Sequence, residues 1–211
     1  MTVNPPEGSP ITVVPATPDR WPDLEEFFAR TPCWCQYWRL SAGEYGRNSK
    51  DQLLEEKLAE HKNRLRSQLE RPTPPGVIAY LDGLAIGWCG FGPRAEMERL
   101  VRSRTIPAVD DRPVWSIVCF LVRPGYRRRG VTRALLQGAI ACARAHSAPA
   151  IEAYPVDPGD KRIDGTFAYV GIVAMFEQAG FERVVETAAR SARLPRWLMR
   201  LELTPSDGDG A

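Results

Sequence analysis

The side chains best arranged for chemistry lie between residues 117 and 137. The apolar run Ile117-Val118-Cys119-Phe120-Leu121-Val122 reads as a strand and stops at Pro124-Gly125. Arg127, Arg128 and Arg129 follow, then Gly130, and a helical pattern begins at once with Val131, Ala134, Leu135, Gly138 and Ala139 on one face. Strand, basic glycine turn and helix start together make an anion site. The first N–H groups of a helix have no partner within it, the helix dipole adds positive potential, and glycine lets the main chain approach the ligand. Arg127, Arg128, Arg129 and Arg133 add formal charge. The pattern predicts a phosphate-bearing ligand. It is neither of the common phosphate loops, since GxxxxGK(S/T) is missing and no GxGxxG follows a strand.

The elements around this turn read as a mixed α/β chain. Ile11–Val14 reads as a strand, and Thr17 or Asp19 can cap a helix through Trp21, Leu24, Phe27 and Phe28. A cluster rich in aromatics and cysteine, Cys33-Trp34-Cys35-Gln36-Tyr37-Trp38-Arg39, comes next. A polar helix follows over about Lys50 to Glu70, with Leu53, Leu54, Leu58, His61, Leu65 and Leu69 at helical spacing and Pro72, Pro74 and Pro75 behind it. Val77–Leu81 and Leu84–Trp88 flank Asp82-Gly83, a strong hairpin signal. Pro93 to Arg112 is a looser charged segment. After the strand and turn, a helix is expected to about Ala145, a strand over Ala150–Tyr154 and a polar loop from Pro155 to Gly165. A helix over Val170–Ala179 ends at Gly180, and two last strands lie over Glu182–Glu186 and Trp197–Leu203.

Composition sets the outer bounds. The chain has 211 residues, 44% hydrophobic and 26% charged, which suits one globular domain with a substantial core. Residues 1–10 and 204–211 are rich in Pro, Gly, Ser and Asp and read as disordered tails, leaving one domain over 11–203. The net charge of +2 is too small to imply nucleic acid, and the basic run is short. No apolar run reaches the ~20 residues that cross a bilayer. Five cysteines, an odd number without framework spacing, and no signal peptide point to a cytoplasmic protein. Cys33-x-Cys35 lacks a second pair at zinc spacing, so no metal is expected.

The turn resembles the acyl-CoA pyrophosphate loop of the GNAT superfamily of N-acyltransferases, V-x-P-x-x-(R/Q)-x-x-G-x-(G/A). Val122-Arg123-Pro124-Gly125-Tyr126-Arg127-Arg128-Arg129-Gly130-Val131-Thr132 matches it everywhere but the last position, where Thr132 stands for Gly or Ala. A β-branched residue accepts helical dihedrals, and its hydroxyl is one more donor. Phe176-Glu177-Gln178-Ala179-Gly180-Phe181 is similar to the family's Y-E-x-x-G-F phrase, and the order β-α-α-β-β-β-α-β-α-β-β is also the family's. The resemblance covers about Ile11 to Leu203. It implies a mostly antiparallel sheet with strands four and five splayed and helices on both faces.

The resemblance also implies the reaction: transfer of an acetyl group from acetyl-CoA, used as acyl donor without a metal, to a primary amine by direct attack in a ternary complex. The turn residues Arg127, Arg128, Arg129, Gly130, Val131, Thr132 and Arg133 would hold the pyrophosphate. Phe120, Leu121 and Val122 would meet the pantetheine arm, with an N–H near Phe120 polarising the thioester carbonyl. Relatives often protonate the leaving sulfur with a tyrosine where this chain has Phe176, which has no proton to give. Tyr169, read as two turns earlier on the same helix, is the substitute candidate, with Cys119 behind it. Glu152, an acidic residue in an apolar strand, is the candidate base, with an arginine-paired carboxylate as the alternative. His61 and His146 rank below it.

By position in that fold, Trp34, Tyr37, Trp38, Trp88 and Phe91 are candidates for the wall of an acceptor pocket, with Arg39 or Arg94 at its rim; core packing is their other fate. Such a pocket suits a small amine. Two other readings stand beside it: a protein or peptide N-acyltransferase, and an acyl-CoA-binding regulatory module without catalysis. The expected partners are the amine and at most a second copy of the chain, as monomer or homodimer, with neither nucleic acid nor membrane.

Overall fold

The computed structural model describes residues 10–46, 54–159 and 169–203. Both expected tails fall outside it except at Pro10, as do the first turn of the polar helix and most of the loop before Tyr169.

The sheet has seven strands in the order β1-β2-β3-β4-β5-β7-β6: β1 Thr12–Pro15, β2 Gly76–Leu81, β3 Leu84–Pro93, β4 Trp115–Val122, β5 Ala150–Ala153, β6 Glu182–Ser191 and β7 Leu194–Glu202. All neighbours are antiparallel except β4 and β5. The helices are α1 Trp21–Phe28, α2 Ala42–Gly46, α3 Leu54–Leu69, α4 Glu98–Val101, α5 Val131–Ala145 and α6 Val173–Glu177. The buried stripe of α5, including Val131, Leu135, Ala139 and Ile140, packs with Val77, Ile86 and Ile117 on one face of the sheet. On the other face Leu24 and Phe28 of α1 and Leu65 and Leu69 of α3 pack on Ile78 and Trp88. This is the expected layering, with helices on both faces.

What positions the site is the parting of β4 from β5. They pair only at Trp115–Ile151, Ser116–Glu152 and Ile117–Ala153. At Val118 β4 carries an extra residue relative to β3, since Gly90 pairs with Cys119 but Phe91 with Ile117. A bulge of this kind bends its strand. Beyond it, Val118–Val122 runs free of β5, whose continuation turns away so that Val156 bridges to Ile172 and Arg196.

Two elements differ from the sequence expectation. The helix expected over Val170–Ala179 is only Val173–Glu177; Tyr169 and Val170 form a turn, Gly171 has φ 80°, and Ile172 is extended, with Val156 N–H donating to Gly171 O (3.1 Å). Tyr169 is therefore not on that helix. The last two strands are longer than expected and form one hairpin through Ala192 and Arg193, at φ 49° and 66°. Asp82-Gly83 makes the same kind of turn with φ 50° and 77°, in residue types that announce it.

Candidate active site

The basic turn forms as its residue types require. Arg128 and Gly130 both have left-handed backbone, φ 63° and 80°, and Gly130 is the N-cap of α5. A Cβ at Gly130 would meet nothing within 4 Å, so glycine is there for its dihedrals and for open access to the N–H groups behind it. A cleft of about 140 Å³ lies on this turn, lined by Val122, Arg127, Arg128, Gly130, Val131, Thr132 and Arg133. Arg129 is turned over the Tyr126 ring, 5.9 Å from its centre, and Arg133 donates to Gln178 Oε1 (2.6 Å).

A larger cavity of about 870 Å³ begins at Arg127 and Thr132 and runs along the free edge of β4, past Val122, Leu121, Phe120 and Cys119. Its far end is formed by the segment between α1 and α2. There Thr31, Cys33, Cys35, Tyr37 and Trp38 line it, together with Tyr45 of α2 and Tyr169. Tyr45 is set in place by a capping box. Ser41 Oγ accepts from the Glu44 N–H (3.1 Å), and the Ser41 N–H donates back to Glu44 Oε2 (3.1 Å).

The segment carrying the cysteines is held by buried polar side chains. The amides of Gln36 and Gln68 bond each other twice (3.1 and 3.0 Å), and Gln36 also donates to Trp34 O (3.1 Å). Arg39 Nη2 donates to Pro75 O (3.0 Å) and Phe91 O (2.9 Å). Within this clamp Trp34 and Cys35 both have positive φ, 44° and 57°.

The sequence candidates divide sharply. Tyr37, Trp38 and Tyr169 line the cavity, together with Phe120, Leu121, Val122, Arg127 and Thr132. Trp34, Trp88 and Phe91 do not: Trp34 stacks on Phe28 and Trp21, Trp88 is fully buried beneath Phe28, and Phe91 packs against Trp115. The two arginines expected at the rim are internal struts. Arg39 is buried on backbone carbonyls, and Arg94 donates to Ile106 O (3.0 Å) and lies 3.9 Å from Glu152.

Glu152 is also a strut. It is 1% exposed, accepts from Arg200 (2.6 and 3.1 Å) and from the Tyr154 hydroxyl (2.9 Å), and has no place in the cavity lining. Its side chain leaves β5 opposite Ser116, on the stretch where β4 and β5 still pair. This geometry fits the arginine-paired alternative and not a base. His61 is buried against Pro32 O and the Tyr45 ring, with its pKa lowered mainly by burial. His146 bonds the Cys142 carbonyl (2.9 Å).

One donor is already engaged. The Phe120 N–H, expected to face the thioester carbonyl, donates to the Tyr169 carbonyl (2.6 Å). Tyr169 thus reaches the edge of β4 through its backbone. Its phenol pKa is raised, mainly by burial, which keeps the hydroxyl protonated. Phe176 is fully buried between Phe120 and Phe181 and faces the core, not the cavity.

The family model described as "Acetyltransferase (GNAT) family" matches residues 22–167. This chain belongs to that family. It is an acyltransferase, and acetyl-CoA is the family's donor. A GNAT-family acetyltransferase from Streptococcus pneumoniae matches with a TM-score of 0.50 at 15% identity, over 92% of this chain and 100% of that one. The ribosomal-protein-S18-alanine N-acetyltransferase of Escherichia coli matches at 0.51 and 12% identity, over 96% and 99%. An apo agmatine N-acetyltransferase matches at 0.53 and 13%, over 92% and 99%. At such identities these likenesses speak for the fold alone. No curated protein matches the sequence.

The turn and cavity fit an acyl-CoA. An open, positively charged helix start offers N–H groups to the pyrophosphate, and the free β4 edge offers main-chain partners to the amides of the arm. Cys35 lines the cavity as well, and the residues it sits against, Trp88 and Gly90 of β3, lie far along the chain, so Cys33-x-Cys35 alone does not announce it.

Proposed function

We propose that this acyltransferase moves an acetyl group from acetyl-CoA to the primary amine of a small molecule. The cavity's extent carries the reading. A single space of about 870 Å³ reaches from the basic turn to Tyr37, Trp38 and Tyr45. Small-molecule sites occupy ~300–1,000 Å³. Once an acyl-pantetheine arm lies along β4, the remainder admits a small acceptor between aromatic walls. The bound thioester supplies an activated acyl group. The chain's part is to align it with the amine and exclude water.

The turn residues Arg127 to Arg133 hold the pyrophosphate, and Phe120 to Val122 hold the arm. Seating the arm exchanges the hydrogen bond between Phe120 and Tyr169 for one to the donor. Tyr169 then orients the acyl end with a neutral hydroxyl. Glu152, fixed by Arg200 and Tyr154, keeps β5 and β7 in register and takes no proton from substrate.

The test is a thiol-release screen of acetyl-CoA against small amines and peptides, with mass spectrometry of the products. Saturable CoA release with a small amine is expected. Turnover confined to peptides would move the acceptor to the protein class. Tight acetyl-CoA binding with no turnover on any amine would make the chain a binding module.

A further inference from the structure

The far end of the cavity has aromatic walls, and positive charge stands behind three of them. Tyr37, Trp38, Tyr45 and Tyr169 line it. Tyr37 sits edge-on to Trp38 (ring centres 5.2 Å apart, 89°) and to Tyr45 (5.3 Å, 83°), so the rings form a corner. The Arg99 guanidinium of α4 lies 4.2 Å from the centre of the Tyr37 ring and 5.4 Å from that of Tyr45. The Lys57 ammonium of α3 is also 5.4 Å from Tyr45, and Arg196 of β7 is 5.5 Å from the Trp38 ring. None of these three cations is among the described lining residues, so the rings stand between them and the cavity.

Arg196 is the most telling of the three. It is 5% exposed, its Nε donates to Tyr154 O (2.8 Å), and its Nη2 is buried without a hydrogen-bond partner. Glu152, two residues from Tyr154, is taken by Arg200, and among the described residues Arg196 makes no ion pair. A guanidinium stays charged at neutral pH even where burial disfavours it. Burying such a charge without a counter-ion is costly, and water screens its field little. Arg99 likewise spends its N–H groups on carbonyls, Tyr37 O (2.7 Å) and Ser41 O (3.4 Å). The carboxylates of the neighbouring elements are engaged elsewhere: Glu44 accepts from Ser41 Oγ (2.7 Å), Glu96 pairs with Arg71 (3.3 Å) and Glu98 with Arg102 (2.9 Å). A cation stacked on the inner face of Tyr37 would come within about 10 Å of Arg99, where like charges repel. The corner is therefore poor for an ammonium ion. It suits a neutral ring, which can lie flat on one wall and edge-on to the next.

We propose that this end of the cavity selects a primary amine whose non-reacting part is aromatic and carries no second positive charge, with Arg196 and Arg99 as the specificity-determining residues. The inference rests on the small-amine reading above and narrows it. Aromatic monoamines fit; diamines, polyamines and amines bearing a guanidine group do not. The two arginines touch no substrate. They act through the rings they back, by setting the sign of the field on the inner faces. The same field favours the free base of the reacting nitrogen, the form whose lone pair attacks a thioester.

The test measures CoA release by the full chain with two pairs of amines matched in shape: para-ethylbenzylamine against para-xylylenediamine, and hexylamine against cadaverine. Within each pair an ammonium group replaces a methyl. In the wild type kcat/KM should be at least ~10-fold lower for the diamine of each pair, and para-ethylbenzylamine should be the best of the four. Arg196→Met and Arg99→Gln should each narrow the gap within the pairs, mainly by lowering KM for the diamine. A merely structural arginine would lower both members of a pair alike. Arg99→Gln, on the surface, keeps the test readable should Arg196→Met fail to fold. Lys62→Met removes an ammonium 5.9 Å from Trp34, a ring that does not line the cavity, and should leave the gap as it is. Diamines turned over as well as their partners by the wild type, a gap unchanged in the arginine variants, or turnover of other small amines but not of para-ethylbenzylamine would overturn the inference and leave the small-amine reading intact. CoA release with no small amine at all would overturn both.

Discussion

The two ends of the cavity are built in opposite ways. The basic turn is local: Arg127 to Arg133 are consecutive, their dihedrals follow from a glycine at the helix cap, and their charges lie in solvent. The segment from Thr31 to Leu40 is assembled from afar. Its clamp needs Gln68 of α3, Pro75 before β2 and Phe91 of β3, and the Cys35 sulfur sits against Trp88 and Gly90 of β3. An end made of backbone and redundant charge should be sensitive to backbone change and tolerant of side-chain loss. An end made of buried, mutually dependent contacts should respond to single atoms.

The largest effect should come from the turn's backbone. Gly130→Glu puts a side chain at φ 80° and a negative charge against the pyrophosphate. We expect calorimetry to detect no acetyl-CoA binding in a protein that stays folded, its stability lowered by the ~1–2 kcal/mol that left-handed backbone costs a side chain. Undiminished affinity would remove the turn from the site.

Next is Gly90→Ala, which adds one carbon where Cys35 Sγ lies. The sulfur must move off the Trp88 N–H, at a cost of about 1–3 kcal/mol in stability. Thiol reactivity at Cys35 should fall markedly, whereas acetyl-CoA affinity should hold. Unchanged alkylation kinetics in this variant would show that the buried contacts do not tune the sulfur.

Tyr169→Phe should have a smaller effect. The residue meets β4 through its carbonyl, which the substitution keeps, so turnover should drop by less than the ~100-fold expected of an essential general acid. A larger loss at unchanged CoA affinity would give the phenol that role. The smallest effect belongs to Arg127→Ala. Four arginines share the task, and exposed charges are screened, so affinity should fall by less than ~10-fold, and by less still at high salt. A steep loss would mean that the turn depends on one specific guanidinium.

The same contrast explains what the sequence could show. The turn, the Asp82-Gly83 hairpin and the helical stripe of α5 are written in neighbouring residues, and they appear where expected. The hairpin at Ala192-Arg193 uses the same left-handed geometry without the residue types that signal it, so β6 and β7 read as shorter than they are. Tyr169 reads as part of the helix that carries Phe176, but the left-handed Gly171 and the bridge from Val156 to Ile172 stop that helix at Val173. Trp34, Trp88 and Phe91 could not be told from Tyr37 and Trp38 by type, since only packing decides which aromatic meets a cavity. Glu152 reads as a base by type alone, because the arginine that holds it, Arg200, lies 48 residues later.

The central claim is that these two unlike ends belong to one acyl-CoA site. It is tested most directly by alkylating Cys35 with and without a CoA thioether that cannot transfer its acyl group. The account predicts that the saturating thioether, held at the turn, shields Cys35 in the wild type and does not in Gly130→Glu. Full reactivity of Cys35 in a wild-type protein shown by calorimetry to be saturated would contradict it.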